Sequence, residues 1–175
     1  MKHNGIRPQD IVILLKKTTS DGQNKLNKEI ANSLGISASE VSESMERSRI
    51  AQLMDNSKER VNTLALKDLL VYGLRYVFPI QLGNVVRGIP TFTSALPISD
   101  KIVEGKDKYV WPCKNGTIRG ISIEPLYKTV TTAVALDEEL YQLLVITDTL
   151  RIGRVREREI AIQELDKHFE GYGKH

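Results

Sequence analysis

Cysteine, histidine and long apolar runs are scarce in this 175-residue chain, and each scarcity excludes a class of protein. The single cysteine, Cys113, excludes an internal disulfide framework. His3, His168 and His175 are scattered, and none has metal-ligand spacing with another ligand, which argues against a structural zinc site. No apolar run approaches the roughly 20 residues of a membrane span, and the first residues lack the apolar stretch of a secretory signal. We therefore expect a protein of the reducing cytoplasm without a membrane partner.

Residue patterns that would support catalysis are also missing. Residues 83–88 contain two glycines but lack the lysine and the strand-to-helix context of a phosphate-binding loop. Cys113 has Lys114 beside it but no evident base to activate it as a nucleophile. The acidic pair Glu138 and Glu139 has charged neighbours, which is typical of a solvated helix face. The sequence therefore predicts that the protein is not an enzyme and uses no cofactor or metal.

Residues 27–46 have the pattern of a helix-turn-helix. Ala31 is small enough for two crossing helices to approach closely, and Gly35 follows the first helix, where a positive φ is easiest without a Cβ. Ser37 is placed to cap the second helix, with Glu40 three residues later to complete a capping box. The apolar residues expected to hold the two helices together are Ile30, Leu34, Ile36 and Val41. A purely structural helical corner has the same pattern, so the flanking sequence decides between the two interpretations.

The flanking segments favour a winged helix. Residues 8–17 have the apolar spacing of a helix. Residues 49–54 indicate a short strand, residues 55–59 a polar turn, and residues 60–62 a returning strand. Three helices followed by a β-hairpin are the element order of a winged helix-turn-helix domain, which would occupy residues 1–62.

Basic side chains lie on both sides of the predicted recognition helix. Arg47 and Arg49 end that helix, and Lys58 and Arg60 lie in the wing, so all four are predicted to contact DNA phosphates. The net charge of +3 does not by itself demand a nucleic-acid partner. Because glutamates are interspersed, an ordinary solvated surface is the alternative.

With Ala31, Gly35 and Val41 in this element order, the first third of the chain resembles the winged helix-turn-helix domains of bacterial transcriptional regulators, most nearly the MarR-like group. The resemblance implies a homodimer that binds a near-palindromic operator in double-stranded DNA. It also implies that one face of the second helix lies in the major groove, and that face comprises Ser37, Ser39, Ser42, Glu43 and Glu46.

Residues 63–175 are predicted to form a C-terminal region for dimerisation and for an effector, if one exists. Thr63 can cap a linking helix that ends at Pro79, and residues 81–100 are expected to be irregular. Residues 109–113 and 117–123 are expected to form a β-hairpin, in which residues 115–116 supply a positive-φ turn. Two helices follow, the first capped by Asp137. The predicted fold class is α+β, mainly α.

Two functions remain open from the sequence. The first is a sequence-specific transcriptional regulator. The second is a protein-interaction module, such as an antitoxin or an assembly subunit, that uses the winged helix to bind another protein. Arginines at 151, 154, 156 and 158 are a further candidate anion site, although Glu157 and Glu159 favour mutual salt bridges.

Overall fold

The computed structural model describes residues 4–103 and 105–173, and it has the predicted mainly α, α+β fold. Among these residues, no helix is both long and apolar enough to cross a membrane. The helices are α1 (Pro8–Thr18), α2 (Asn27–Leu34), α3 (Ala38–Ile50), α4 (Thr63–Asp68), α5 (Leu74–Val77), α6 (Val130–Ala133), α7 (Glu138–Ile152) and α8 (Val155–Gly171). The strands are β1 (Leu82–Pro90), β2 (Tyr109–Pro112) and β3 (Ile118–Ile123).

Helix α1 lies at the centre of the molecule. Pro8 fits its first turn, where no intrahelical N–H is needed, and the Asp10 carboxylate accepts a hydrogen bond of 2.9 Å from the Arg7 N–H. The apolar spacing predicted one buried face, yet every residue from Asp10 to Thr18 is buried. This is because α2, α3 and α7 all pack against α1.

A buried lysine connects α1 to the start of α7. Lys16 Nζ lies 2.5 Å from the carboxylates of both Asp21 and Asp137. Burial lowers the pKa of Lys16, but the hydrogen bonds to these carboxylates outweigh burial and raise it. Asp137 also caps α7 as predicted, because its other oxygen accepts a 2.9 Å hydrogen bond from the Leu140 N–H.

The predicted linking helix is present, with a different cap. Asn62, not Thr63, is the N-cap, and its side chain accepts a 3.1 Å hydrogen bond from the Ala65 N–H. A π-helical turn, Leu69–Gly73, joins α4 to α5, and we call residues 63–77 the linking helix. Its outer face carries three large exposed side chains: Leu64, Tyr72 and Tyr76.

The strands form a small closed sheet instead of the predicted irregular stretch and hairpin. β1 pairs antiparallel with both β2 and β3, and β2 and β3 pair parallel with each other. A Cβ on Gly116 would lie 2.2 Å from the backbone of Gly88, and Gly116 does not have a positive φ. Glycine is therefore required there for close approach of two chain segments, and the prediction of a positive-φ hairpin turn was wrong.

One fully buried carboxylate joins this sheet to the helices. Asp148 of α7 accepts 2.7 Å hydrogen bonds from Thr91 Oγ1 and Trp111 Nε1, and Arg151 Nη1 lies 3.1 Å from its other oxygen. Arg151 Nε in turn donates to the carbonyl oxygen of Phe78 at 2.8 Å. Burial raises the pKa of Asp148, while Arg151 and the two other donors oppose that rise.

The arginines at 151–158 are used differently from the predicted mutual salt bridges. Arg151 pairs with Asp148 on its own helix. Arg158 donates to the backbone carbonyl oxygens of Val71 and Leu150, which ties α8 to the linking helix and to α7. The i,i+3 spacing of Asp148 and Arg151 is a local signal that the sequence analysis did not use, whereas the contact of Arg158 with Val71 spans 87 positions and has no local signal.

Buried apolar residues on both sides of the boundary predicted at residue 62 belong to one hydrophobic core. Helix α1 contacts α7, and α2 contacts α6, so the first 62 residues are packed directly on the rest of the chain. The orientation of α3 is thus coupled to the C-terminal helices.

His168 connects α8 to both α1 and α7. Its Nε2 lies 3.0 Å from Thr18 Oγ1, and this hydroxyl donates to the Leu15 carbonyl oxygen at 2.7 Å. Because its one proton is used in that bond, the hydroxyl accepts a hydrogen bond from the imidazole Nε2–H. The other ring nitrogen, Nδ1, lies 3.5 Å from Glu139 Oε1. Burial lowers the pKa of His168, and Glu139 opposes this only in part.

We predict that His168 makes the fold less stable in mild acid. The unfolded histidine titrates near pH 6.5 and binds its proton at a higher pH than the folded one, so the free energy of unfolding decreases as the pH falls below about 6.5. Thermal unfolding at about pH 7.5 and about pH 5.5 should show a larger fall in Tm for the wild type than for His168→Gln, whose amide can still donate to Thr18. Equal falls in the two proteins would contradict this assignment.

Candidate nucleic-acid interface

The turn between α2 and α3 has the predicted geometry. Gly35 ends α2 with a φ of 65°, and the Ile36 N–H donates to the Ala31 carbonyl oxygen at 3.0 Å. Ser37 caps α3 by accepting a 3.2 Å hydrogen bond from the Glu40 N–H. Both local predictions are confirmed, and together they fix the angle at which α3 leaves the turn.

The second half of the predicted capping box is absent. The Glu40 carboxylate does not return to the Ser37 backbone but accepts hydrogen bonds from Arg47 Nη2 at 2.6 Å and Gln9 Nε2 at 3.1 Å. Burial raises the pKa of Glu40, but these hydrogen bonds outweigh it and the pKa is lowered overall. Glu40 therefore connects α3 to α1.

Arg47 is not available to contact DNA, which corrects the prediction made for it. The residue is only 5% exposed, and its guanidinium binds both Asp10 oxygens, with Nε–Oδ2 at 2.9 Å and Nη2–Oδ1 at 2.7 Å. The hydrogen bonds that Arg47 donates to Asp10 are the main reason that the pKa of Arg47 is raised. A bidentate, buried pair of this kind holds α3 against α1.

The other predicted residues of α3 share one accessible face. Ser39, Ser42 and Glu43 are exposed, as is the cap Ser37. Glu46 is half-buried and pairs with Arg49, whose Nη2 and Nε lie 2.7 Å and 3.1 Å from its two oxygens.

The pairing of Glu46 changes the charge of this face. The hydrogen bonds from Arg49 are the main cause that lowers the pKa of Glu46 to about 2, and Lys58 Nζ at 3.3 Å contributes. Arg49 and Lys58 are thus both present at the predicted surface. Each is in contact with this carboxylate, so binding of either to a phosphate would compete with it.

The wing is shorter than predicted. Helix α3 continues to Ile50, so residues 49–54 do not form the expected strand. One antiparallel bridge joins Met54 to Val61. The Asp55 carboxylate organises the intervening turn by accepting hydrogen bonds from the N–H groups of Glu59 at 3.0 Å and Arg60 at 3.1 Å.

The wing is anchored by a residue that sequence reasoning missed. The Val61 N–H donates to the hydroxyl oxygen of Tyr172 at 2.9 Å. Tyr172 is the residue that follows α8, more than a hundred positions away in sequence. Only its proximity to the chain terminus and its aromatic character could have drawn attention to it, and neither specifies this partner.

A basic groove lies between the start of α2 and the wing, and its volume is about 810 Å³. One acidic side chain, Glu59, lines it. Five cationic side chains line it, and they define the basic groove: Lys17, Lys25, Lys28, Lys58 and Arg60.

These five cations differ in how far they are already paired. Lys25 Nζ lies 2.6 Å from Asp21, and Lys58 contacts Glu46. Lys17 is buried and donates to carbonyl oxygens, and burial lowers its pKa. Across residues 4–103 and 105–173, Lys28 and Arg60 have no carboxylate within ion-pair distance, so both can bind an external anion.

Lys58 also lines a second groove, of about 280 Å³, on the other side. There it meets Ser42, Glu43 and Glu46 of α3, together with Arg7, which the sequence analysis did not select. Lys58 therefore lines both grooves and connects the wing tip to Ser42, Glu43 and Glu46 of α3, whereas Ser37 and Ser39 line neither groove.

The chain was compared with family models, with characterised proteins and with solved structures. None of the three comparisons gave a match. In the part of the chain that the structure describes, no three or more His, Cys, Asp or Glu side chains are grouped as a metal site would require.

We predict that Arg47 is required for folding, unlike its neighbour Arg49. Arg47→Met would leave Asp10 buried and unpaired, which should reduce the free energy of unfolding by about 3–5 kcal/mol. Arg49→Met, which removes the same charge from an exposed pair, should change stability little. Guanidinium chloride denaturation measures the free energy of unfolding of both variants.

If Arg47→Met does not fold, Arg47→Lys provides the test. Lysine keeps the positive charge but cannot form the bidentate pair, so its unfolding midpoint should lie clearly below that of the wild type. A wild-type midpoint for both Arg47 variants would show that the pair does not stabilise α3.

Proposed function

We propose that this protein is a sequence-specific DNA-binding transcriptional regulator of the cytoplasm, and that it is not an enzyme. The observation that carries the proposal is the basic groove between α2 and the wing, which Lys58 connects to the groove lined by α3. Segments near residues 17, 25–28 and 58–60 are separate in sequence, yet their cations converge there. Phosphates bound in this groove would place a DNA backbone next to the exposed face of α3.

The chemistry of α3 limits how DNA sequence can be read. Ser39 and Ser42 can each donate or accept a hydrogen bond, whereas Glu43 can accept one from the amino group of cytosine. Arg49 is held by Glu46, so it does not supply a free guanidinium for guanine. We therefore expect most of the affinity to come from phosphates and a modest share from bases.

Two copies would be needed for an operator of useful specificity. Dimeric helix-turn-helix proteins place their recognition helices about 34 Å apart, one turn of DNA. The outer face of the linking helix is the surface we assign to this dimer, because Leu64, Tyr72 and Tyr76 are 72%, 73% and 77% exposed in the isolated chain. A ligand or protein that changed the spacing of the two copies would release DNA.

A protein-interaction module remains the second candidate, and one observation favours it. Glu43 is exposed on α3, and the Arg47 guanidinium 3.8 Å away from its carboxylate is already bound by Asp10 and Glu40. An acidic helix face repels a phosphate backbone but suits a basic protein partner. In that case the winged segment would bind an effector protein or a cognate toxin instead of DNA.

We predict that reversing the wing charges abolishes DNA binding. Lys58→Glu/Arg60→Glu changes the charge of the basic groove by four units, so phosphates should be repelled. Fluorescence anisotropy with duplex DNA from upstream of its own gene, and with a scrambled duplex, across a salt series, measures the effect. Lys106→Glu/Lys167→Glu is the matched control, because it makes the same change at two exposed positions outside the groove.

The two candidate functions give different results in this experiment. A regulator should bind the upstream duplex selectively, lose that binding in the Lys58/Arg60 variant and keep it in the control. Equal, weak binding of wild type to both duplexes at physiological salt would exclude sequence-specific DNA binding and favour the protein partner.

We also predict that the linking helix mediates dimerisation. Tyr72→Ser/Tyr76→Ser removes two exposed rings that make little contact within the chain, so the protein should stay folded and become monomeric. Sedimentation velocity measures the mass, and Tyr127→Ser is a control at a half-buried tyrosine outside this helix. A wild type that is monomeric at all concentrations, or a dimer unchanged by the double substitution, would contradict the assignment.

A further inference from the structure

The closed sheet carries a second basic surface, remote in sequence from the wing. Arg87 of β1 and Arg119 of β3 are direct partners in the antiparallel β1–β3 ladder, and both are exposed. Directly paired residues project from the same face of a sheet, and like charges in that position destabilise it. Two arginines opposite each other are therefore more favourable when an external anion binds them than in the protein alone.

Neither arginine is neutralised within the part of the chain that the structure describes. Arg87 Nη1 donates to the Gly116 carbonyl oxygen at 3.4 Å, and Arg119 Nη2 donates to the Val85 carbonyl oxygen at 3.3 Å. No carboxylate among the described residues lies within ion-pair distance of either guanidinium. A guanidinium has five N–H donors, so most donors of both side chains remain available for a ligand.

The two guanidiniums are spread along the ladder. Val85 pairs with Ile121 on one side of the arginine pair, whereas Gly116 precedes Ile118 on the other side. The Arg119 side chain therefore extends toward one end of the ladder and the Arg87 side chain toward the opposite end. Two separated positive charges fit successive charges of an extended polyanion better than one small anion.

The backbone beneath the pair is closely packed. A Cβ on Gly88 would lie 2.1 Å from the Trp111 carbonyl oxygen, and a Cβ on Gly120 would lie 2.7 Å from the Lys108 backbone. Such close packing leaves little room for the strands to shift. The arginines are thus presented from a fixed platform, as contacts that fix the register of a DNA backbone require.

We propose that Arg87 and Arg119 bind the sugar–phosphate backbone of DNA outside the segment contacted by α3 and the wing. This inference rests on the proposed function for the choice of DNA. An acidic peptide is the other polyanion to consider. DNA is favoured because the basic groove already provides a phosphate surface on the same chain.

The test compares Arg87→Gln/Arg119→Gln with Lys106→Gln/Lys167→Gln, which removes two exposed charges elsewhere. Anisotropy of the full chain on a long duplex containing the upstream sequence is measured across a salt series. Loss of two phosphate contacts in each protomer should lower the slope of log affinity against log salt by about 2 per bound protomer, or about 4 for a bound dimer, since each contact contributes about 0.9. The control should keep the wild-type slope. The Tm of the Arg87/Arg119 variant should equal or exceed that of the wild type, because the paired like charges are removed.

A second duplex, trimmed to the segment protected by α3 and the wing, locates the contact. The wild type should show a smaller slope on the trimmed duplex than on the long one, and the Arg87/Arg119 variant should show equal slopes on both. An unchanged slope for the variant on the long duplex, while the wild type still binds selectively, would overturn the inference and leave the proposed function standing.

Two further outcomes also overturn it. If the variant loses binding of a fluorescent poly-glutamate peptide but keeps the wild-type slope on DNA, the surface binds an acidic protein segment. If the wild type shows no selective binding to any duplex, the proposed function fails, and the assignment of DNA to this surface fails with it.

Discussion

The position of the closed sheet depends on one buried carboxylate, that of Asp148. An unpaired charge in a protein interior costs several kcal/mol, so this carboxylate is tolerated only when its partners are in place. Those partners are Thr91 after β1, Trp111 in β2 and Arg151 one turn further along α7. Three short strands have little core of their own. The network therefore decides where the sheet lies relative to the helices, and Arg151 extends it to Phe78 at the end of the linking helix.

Pairing of charges within the protein also determines which side chains of α3 are available to a ligand. Its charged residues are largely used within the protein, because Arg47 binds Asp10 and Arg49 binds Glu46. Counting charges along the sequence therefore overestimates the number of α3 side chains that are free to bind DNA. Cations without a carboxylate partner among the described residues include Lys28 and Arg60 in the basic groove and Arg87 and Arg119 on the sheet. If the protein binds DNA as proposed, this distribution favours contacts with the DNA phosphate backbone. The small polar side chains of α3 would then contribute selectivity.

Three cap and turn signals in the sequence predicted the structure correctly, although the turn signal at residues 115–116 did not, and long-range contacts were not predicted. Gly35, Ser37 and Asp137 act on their own turn or cap, and each was predicted with its correct role. β1 was missed because its pairing is with strands some 20 to 40 residues later, and its glycines, which weaken a flat strand, allow close approach in a tightly closed sheet. The burial of Arg47 was missed for the same reason, since Asp10 is 37 positions away. A basic residue near a recognition helix has the same local pattern whether it faces DNA or an internal carboxylate.

The way in which α3 is held restricts how the proposed DNA binding could be regulated. Arg47 and Glu40 fix α3 to α1, and Lys16 of α1 is bonded to Asp137 at the start of α7. Tyr172 holds the wing to the end of α8. All these helices share one core, so α3 cannot rotate alone without exposing apolar surface and breaking buried ion pairs. In a dimeric regulator, an effector would therefore act by moving whole protomers against each other at the linking helix. Such a change alters the spacing of two recognition helices and leaves each of them in its native environment.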